Sequence, residues 1–96
     1  MPEEKDLLNL IERLADQEHA RWSRWQQHLH DQCEAQKDGS LVIPRRLVDR
    51  WNLQICTPYS RLPEHSKESD RKEARLTMQL IREVWPESAD PEQERE

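Results

Sequence analysis

The sequence predicts an all-α protein, a single small domain of three principal helices. Apolar residues recur at helical spacing along three segments of the 96-residue chain. One glycine and few β-branched residues argue against a sandwich or a barrel. Prolines mark the expected beginnings of two helices and the end of the last, at Pro44, Pro63 and Pro86. We therefore expect a helical domain over residues 1–86 and a disordered acidic tail over 87–96.

The first helix is predicted over residues 4–36. Steps of three, four or eight residues place its apolar stripe at Leu7, Ile11, Leu14, Trp22, Trp25, Leu29 and Cys33. Trp25 continues this stripe and is expected in the core, where truncation to alanine would cost about 3–5 kcal/mol. Trp22 is expected nearer the edge of a pocket. The helix should stop near residues 37–40, because Gly39 suits a positive-φ position.

Residues 41–44 are expected to form an extended connector, since Leu41 to Pro44 is too short for an independent strand. Pro44 then begins a second helix over 44–55. Its buried face comprises Leu47, Val48, Trp51 and Ile55, and its outer face comprises Arg45, Arg46, Asp49 and Arg50.

A loop is predicted over residues 57–62, because Pro58 disfavours helix at the residue before it. Tyr59 and Leu62 are expected to anchor this loop to the core. The third helix begins near Pro63 and runs to about Trp85. One face of it consists of Ala74, Met78, Ile81, Val84 and Trp85.

Charge is distributed unevenly along the chain. The net charge of −5 combines −4 over residues 1–20, +3 over 21–75 and −4 over 76–96. An anion-binding surface should therefore come from the middle of the chain. No apolar run approaches membrane-spanning length, and the acidic N-terminus is unlike a signal peptide. We expect a cytoplasmic protein with no membrane partner, in which Cys33 and Cys56 are reduced thiols.

Two segments carry a resemblance to a known family. Glu18-His19-x-x-Trp22 and Thr57-Pro58-Tyr59-x-x-Leu62-Pro63-Glu64-x-x-Lys67 are similar to motifs of the ryanodine-receptor (RyR) domain. This small helical module occurs in animal calcium-release channels and in bacterial and phage proteins. Between the motifs, residues 37–56 depart from the family pattern: its Gly-Trp, Tyr-Gly and His-Pro pairs are replaced by the Leu41–Pro44 connector and the helix with Trp51.

The resemblance implies a module that is not an enzyme and has no cofactor. In the animal channels, paired copies accommodate an adenine nucleotide, with the motif tryptophan lining the site. The positions that carry over are Glu18, His19, Trp22, Pro58, Tyr59 and Leu62. The implied function is binding of a small anionic, nucleotide-like ligand, as a sensor or as a sequestering protein.

The residues themselves suggest how such a ligand would be held. Trp22 would stack on a base while Glu18 or His19 reads its edge. Arg45 and Arg46 would bind phosphate at a helix beginning, and the motif loop carries Arg61. The predicted ligand-binding residues are Glu18, His19, Trp22, Arg45, Arg46, Tyr59 and Arg61. The alternative is structural: Glu18 clamps the Tyr59 loop, and the arginines lie on a solvated face.

Other classes of function find less support. His28 and His30 point about 200° apart on a helix, so they cannot share a metal. No serine or cysteine has the setting of a nucleophile, and a pI of 5.4 disfavours nucleic acid. The competing hypothesis is a protein-interaction module that inhibits or modulates a host protein, because tryptophan and arginine dominate interfaces. The long first helix could also pair with its symmetry mate in a homodimer.

Overall fold

The computed structural model describes residues 2–87, and three helices account for most of them. The helices are α1, Glu4–Gln32, α2, Arg45–Ile55, and α3, Glu64–Val84. Two short strands, β1 (Glu34–Ala35) and β2 (Leu41–Val42), and one 3-10 turn (Tyr59–Arg61) complete the fold. The all-α prediction is confirmed. Within residues 2–87, no helix combines the length and the apolar character needed to span a membrane. The tail predicted over 87–96 lies outside the described residues from position 88 onward.

The predicted connector is in fact half of a β-hairpin. Strands β1 and β2 pair antiparallel, with Ala35 opposite Leu41, so α1 ends at Gln32 rather than at residue 36. The turn between them explains the difference. Gly39 adopts a φ of +89°, and the carboxylate of Asp38 accepts hydrogen bonds from the hydroxyl and the N–H of Ser40, at 2.6 and 3.0 Å. These local bonds stabilise a turn that competes with helix.

Helix α2 begins at Arg45, directly after Pro44, as the sequence predicts. The carbonyl of Pro44 accepts hydrogen bonds from the N–H groups of Leu47 and Val48. Leu47 is the one fully buried apolar residue among positions 2–87, while Val48 and Trp51 are half-buried. The prediction that Ile55 is buried is wrong, because its side chain is 78% exposed at the last residue of the helix.

The chain forms two compact units. We call residues Arg21–Lys67 the central unit, and Met1–Ala20 with Glu68–Glu96 the terminal unit. In the terminal unit, the first part of α1 packs against α3 through the Arg13–Glu83 ion pair. A hydrogen bond of 2.7 Å from Gln17 Nε2 to Thr77 Oγ1 joins the same helices. Residue numbers rise along α1 as they fall along α3, so the two segments are antiparallel.

The core is thinner than the apolar stripes predict. Of the predicted stripe of the first helix, Leu14, Leu29 and Cys33 are half-buried, whereas Leu7, Ile11, Trp22 and Trp25 are exposed. Trp25 was expected in the core, yet 46% of its surface is accessible. Tyr59 is likewise exposed, although Leu62 in the same loop is half-buried. Helical periodicity identifies the apolar side of a helix, but burial requires another element to cover that side.

Candidate functional site

A cavity of about 590 Å³ lies within the central unit. Four segments of the chain contribute to its wall: the second part of α1, the last turns of α2, the loop that follows, and the beginning of α3. Six of its lining residues are aromatic or cationic, namely Trp25, His28, Arg50, Trp51, Arg61 and His65. Its volume lies in the range that small-molecule sites in proteins occupy.

The two tryptophans form the aromatic part of this wall. The ring centroids of Trp25 and Trp51 are 5.6 Å apart with an interplanar angle of 66°, an edge-to-face pair. The imidazole of His28 lies 5.4 Å from the Trp25 ring, one helical turn further along α1. In an edge-to-face pair one indole keeps a ring face clear of its partner. Trp25 is 46% exposed, so part of its surface is accessible to a ligand.

Two arginines form the cationic part of the cavity wall. Arg50 projects from α2, and Arg61 from the 3-10 turn, and both side chains are exposed. Within residues 2–87, neither guanidinium has a hydrogen-bond or ion-pair partner. By contrast, Arg45 one turn earlier on α2 is paired with Asp49 at 3.0 Å. The donors of Arg50 and Arg61 are therefore available for an anion.

Local hydrogen bonds hold the loop that carries Arg61. The hydroxyl of Thr57 donates to the carbonyl of Leu53 at 2.6 Å, which ties the loop to the end of α2. The N–H of Arg61 donates to the carbonyl of Pro58 at 2.9 Å, and this bond closes the 3-10 turn. Arg61 therefore projects from a fixed backbone rather than from a free loop.

The Tyr59 ring, in the same loop, lies under the ammonium group of Lys67, which is in the first turn of α3. Lys67 Nζ is 5.8 Å from the ring centroid, within the range of a cation–π contact. The lysine side chain is 18% exposed and also lies 3.8 Å from the carboxylate of Glu64. Tyr59 thus holds the beginning of α3 near the loop and does not line the cavity.

The electrostatic character of the cavity differs from that of the whole chain. No carboxylate is among its lining residues, although the chain carries a net charge of −5. Uncharged polar groups come from Gln54, Thr57 and Ser66. Two guanidiniums, two imidazoles and accessible indole rings suit a ligand that joins a planar ring to an anionic group.

Of the residues that the sequence grouped into one site, one lines this cavity. Arg61 lines the cavity, but Trp22, Arg45, Arg46 and Tyr59 belong to the central unit without lining it. Glu18 and His19 belong to the terminal unit. The sequence analysis did not select Trp25, Trp51 or the two histidines as ligand-binding residues. All the residues that line the cavity fall within residues 21–75, the net-positive segment from which the sequence analysis expects an anion-binding surface.

A metal site needs metal-ligating side chains that lie close together in the part of the chain that the structure describes. No group of three histidine, cysteine, aspartate or glutamate side chains there could hold a metal ion. Comparison with protein-family models, with curated proteins and with solved structures finds no match to this chain.

Proposed function

We propose that this protein is a non-enzymatic binding module for a small anionic, nucleotide-like ligand, acting as a sensor or a sequestering protein. The observation that carries the proposal is the composition of the central cavity: two tryptophans, two arginines and two histidines without a carboxylate. Stacking of a base on an aromatic ring contributes about 1–3 kcal/mol. Charge-assisted bonds from the arginines would supply the rest.

The resemblance to the RyR domain supports the same class of ligand. It implies an aromatic, nucleotide-like molecule held by the motif tryptophan, Trp22. The cavity suggests instead that the stacking residue is Trp25, three positions further along α1. Both assignments use Arg61 of the loop, and they differ in whether Trp22 or Trp25 stacks on the ligand.

A thermal-shift screen with mono-, di- and cyclic nucleotides and ADP-ribose derivatives identifies the ligand, because a molecule that binds only the folded state raises the melting temperature. Calorimetry then measures its affinity for paired variants. Arg50→Ala and Trp25→Ala alter the cavity, whereas Arg46→Ala and Trp22→Ala make the same changes outside it.

We expect each cavity variant to weaken binding at least tenfold, which corresponds to about 1.4 kcal/mol. The matched controls should bind like the unmodified protein, and higher salt should weaken binding by screening the arginines. Loss of binding in the controls but not in the cavity variants would show that the ligand binds at Trp22 and Arg46 and not in the cavity. No binding of any nucleotide would overturn the proposal.

Exposed apolar residues on α2 support a second candidate function, a protein-interaction module that modulates a host protein. Leu53 and Ile55 are 71% and 78% exposed, well above the exposure of the other large apolar residues. On a helix these two residues point about 200° apart, and Leu53 lines the cavity, so the partner surface would be centred on Ile55. Ile55→Glu would abolish such an interaction and leave nucleotide affinity unchanged, because Ile55 does not line the cavity.

A further inference from the structure

The guanidinium and imidazole groups of the central cavity come from four separate segments of the chain. Helix α1 supplies His28, α2 supplies Arg50, the 3-10 turn supplies Arg61, and α3 supplies His65. All four side chains are exposed. Because each segment contributes one of these groups, the N–H donors of the cavity are distributed over its wall and are not confined to one helix.

Two acids that directly precede cavity residues in the chain have partners outside the cavity. Asp49 pairs with Arg45 at 3.0 Å, and Glu64 lies 3.8 Å from the ammonium group of Lys67. Among residues 2–87, no carboxylate lines the cavity, and neither of its guanidiniums has a hydrogen-bond or ion-pair partner. The cavity therefore holds two permanent positive charges that the protein itself does not compensate.

The two units of the chain carry net charges of opposite sign. Residues 21–67 contain eight lysines and arginines and five aspartates and glutamates, which gives the central unit a net charge of +3. The terminal unit carries the remaining net charge of −8. An anion is therefore attracted to the unit that contains the cavity, although the chain as a whole is acidic.

We infer that the ligand of the cavity carries two negative charges on its phosphate groups, as a phosphate monoester or a pyrophosphate does, and not the single charge of a cyclic phosphodiester. The inference rests on the proposed function and narrows its class of ligand. A guanidinium presents a planar fork of donors that pairs with two oxygens of a phosphate. Arg50 and Arg61 together match two negative charges, whereas a singly charged phosphate leaves one of them uncompensated.

Probes that share a base and differ in phosphate charge test this inference by calorimetry. AMP, cyclic AMP and ADP-ribose share adenine, and GMP and cyclic GMP repeat the comparison with guanine. At a pH of about 8 a phosphate monoester carries close to two charges while arginine stays protonated. We expect AMP or ADP-ribose to bind at least about tenfold more tightly than cyclic AMP. The tighter of the two shows whether both charges belong to one phosphate or to a pyrophosphate.

Arginine variants separate charge pairing from the other differences between the probes. Arg50→Gln and Arg61→Gln each remove one positive charge from the cavity, and Arg46→Gln removes one from an exposed position of α2 outside it. The preference for the doubly charged probe is the ratio of its dissociation constant to that of cyclic AMP. We expect this preference to fall at least about threefold in each cavity variant and to stay unchanged in Arg46→Gln.

The results distinguish failure of this inference from failure of the proposed function. Cyclic AMP and cyclic GMP that bind as tightly as the doubly charged probes would overturn the inference and leave the cavity as a nucleotide site. A preference that persists unchanged in both Arg50→Gln and Arg61→Gln would overturn it as well. Absence of binding by every probe to the folded protein would overturn the proposed function and this inference together. Circular dichroism checks that each variant is folded.

Discussion

Asp38 shows how one side chain can determine the conformation of a segment. Its carboxylate accepts two hydrogen bonds from Ser40 in the hairpin turn. The hydroxyl of Ser40 is the main cause of a pKa of Asp38 below its ordinary value, and the Ser40 N–H adds to the effect. Because folding lowers the pKa of Asp38, these two hydrogen bonds stabilise the turn fully when the pH is above the ordinary pKa of the carboxyl. That stabilisation is lost as the pH falls through the lowered pKa.

Removal of the Ser40 hydroxyl should therefore raise the pKa of Asp38. We expect Ser40→Ala to shift the NMR titration midpoint of the Asp38 carboxyl upward toward its ordinary value, since one of two donors is lost. Ser60→Ala provides the control, because Ser60 lies in a different turn. An unchanged midpoint in Ser40→Ala would mean that the N–H alone sets the pKa of Asp38.

At the scale of elements, the contact between α1 and α3 depends on polar side chains. Gln17 donates to Thr77 across the helices at 2.7 Å, and both residues are half-buried. A bond of this kind contributes about 0.5–1.5 kcal/mol, more than an exposed ion pair such as Arg13–Glu83 is expected to give.

A double-mutant cycle measures this bond. We expect Gln17→Ala and Thr77→Val to show a coupling free energy of about 0.5–1 kcal/mol in urea unfolding, because each single variant removes the same hydrogen bond between the helices. The cycle between Gln17→Ala and Thr57→Val should show additive effects, because Thr57 makes its hydrogen bond to Leu53 and not to either residue of this pair. Coupling near zero in the first cycle would show that the hydrogen bond does not stabilise the helix contact.

At the scale of the whole molecule, the sequence beyond Pro86 should not stabilise the fold. Residues 87–96 are polar and acidic, with Ala89 as their one aliphatic side chain. We expect a chain that ends at Pro86 to melt within about 1 °C of the full chain, because those residues bring little apolar surface to bury.

A chain that ends at Val84 is the control for this comparison. It lacks Trp85, whose N–H donates to the carbonyl of Ile81 at 2.7 Å and whose side chain is 38% exposed. Its melting temperature should fall clearly. If the chain ending at Pro86 lost as much stability as this one, residues 87–96 would have to dock on the protein.

The sequence and the cavity select different residues for the candidate site. Composition and charge indicated an anion-binding surface within residues 21–75, and the tryptophans indicated stacking. The resemblance to the RyR domain directed attention to Trp22, which the structure leaves outside the cavity. Trp25 was predicted in the core because it continues the α1 stripe, yet it is 46% exposed and pairs with Trp51 in the lining of the cavity. Periodicity along one helix carries no information about a residue 26 positions away.

Local chemistry in the sequence was sufficient to determine the helical class, the beginnings of α2 and α3 at their prolines, and the positive φ of Gly39. These features depend on neighbours within one or two turns of the chain. Only the tertiary structure decided which apolar side chains are covered, that residues 34–35 pair with 41–42, and that Arg50 and Arg61 line one cavity. Those outcomes depend on contacts between segments that are separated in the chain, and hydrophobic burial is non-directional, so the apolar pattern alone does not specify its partners.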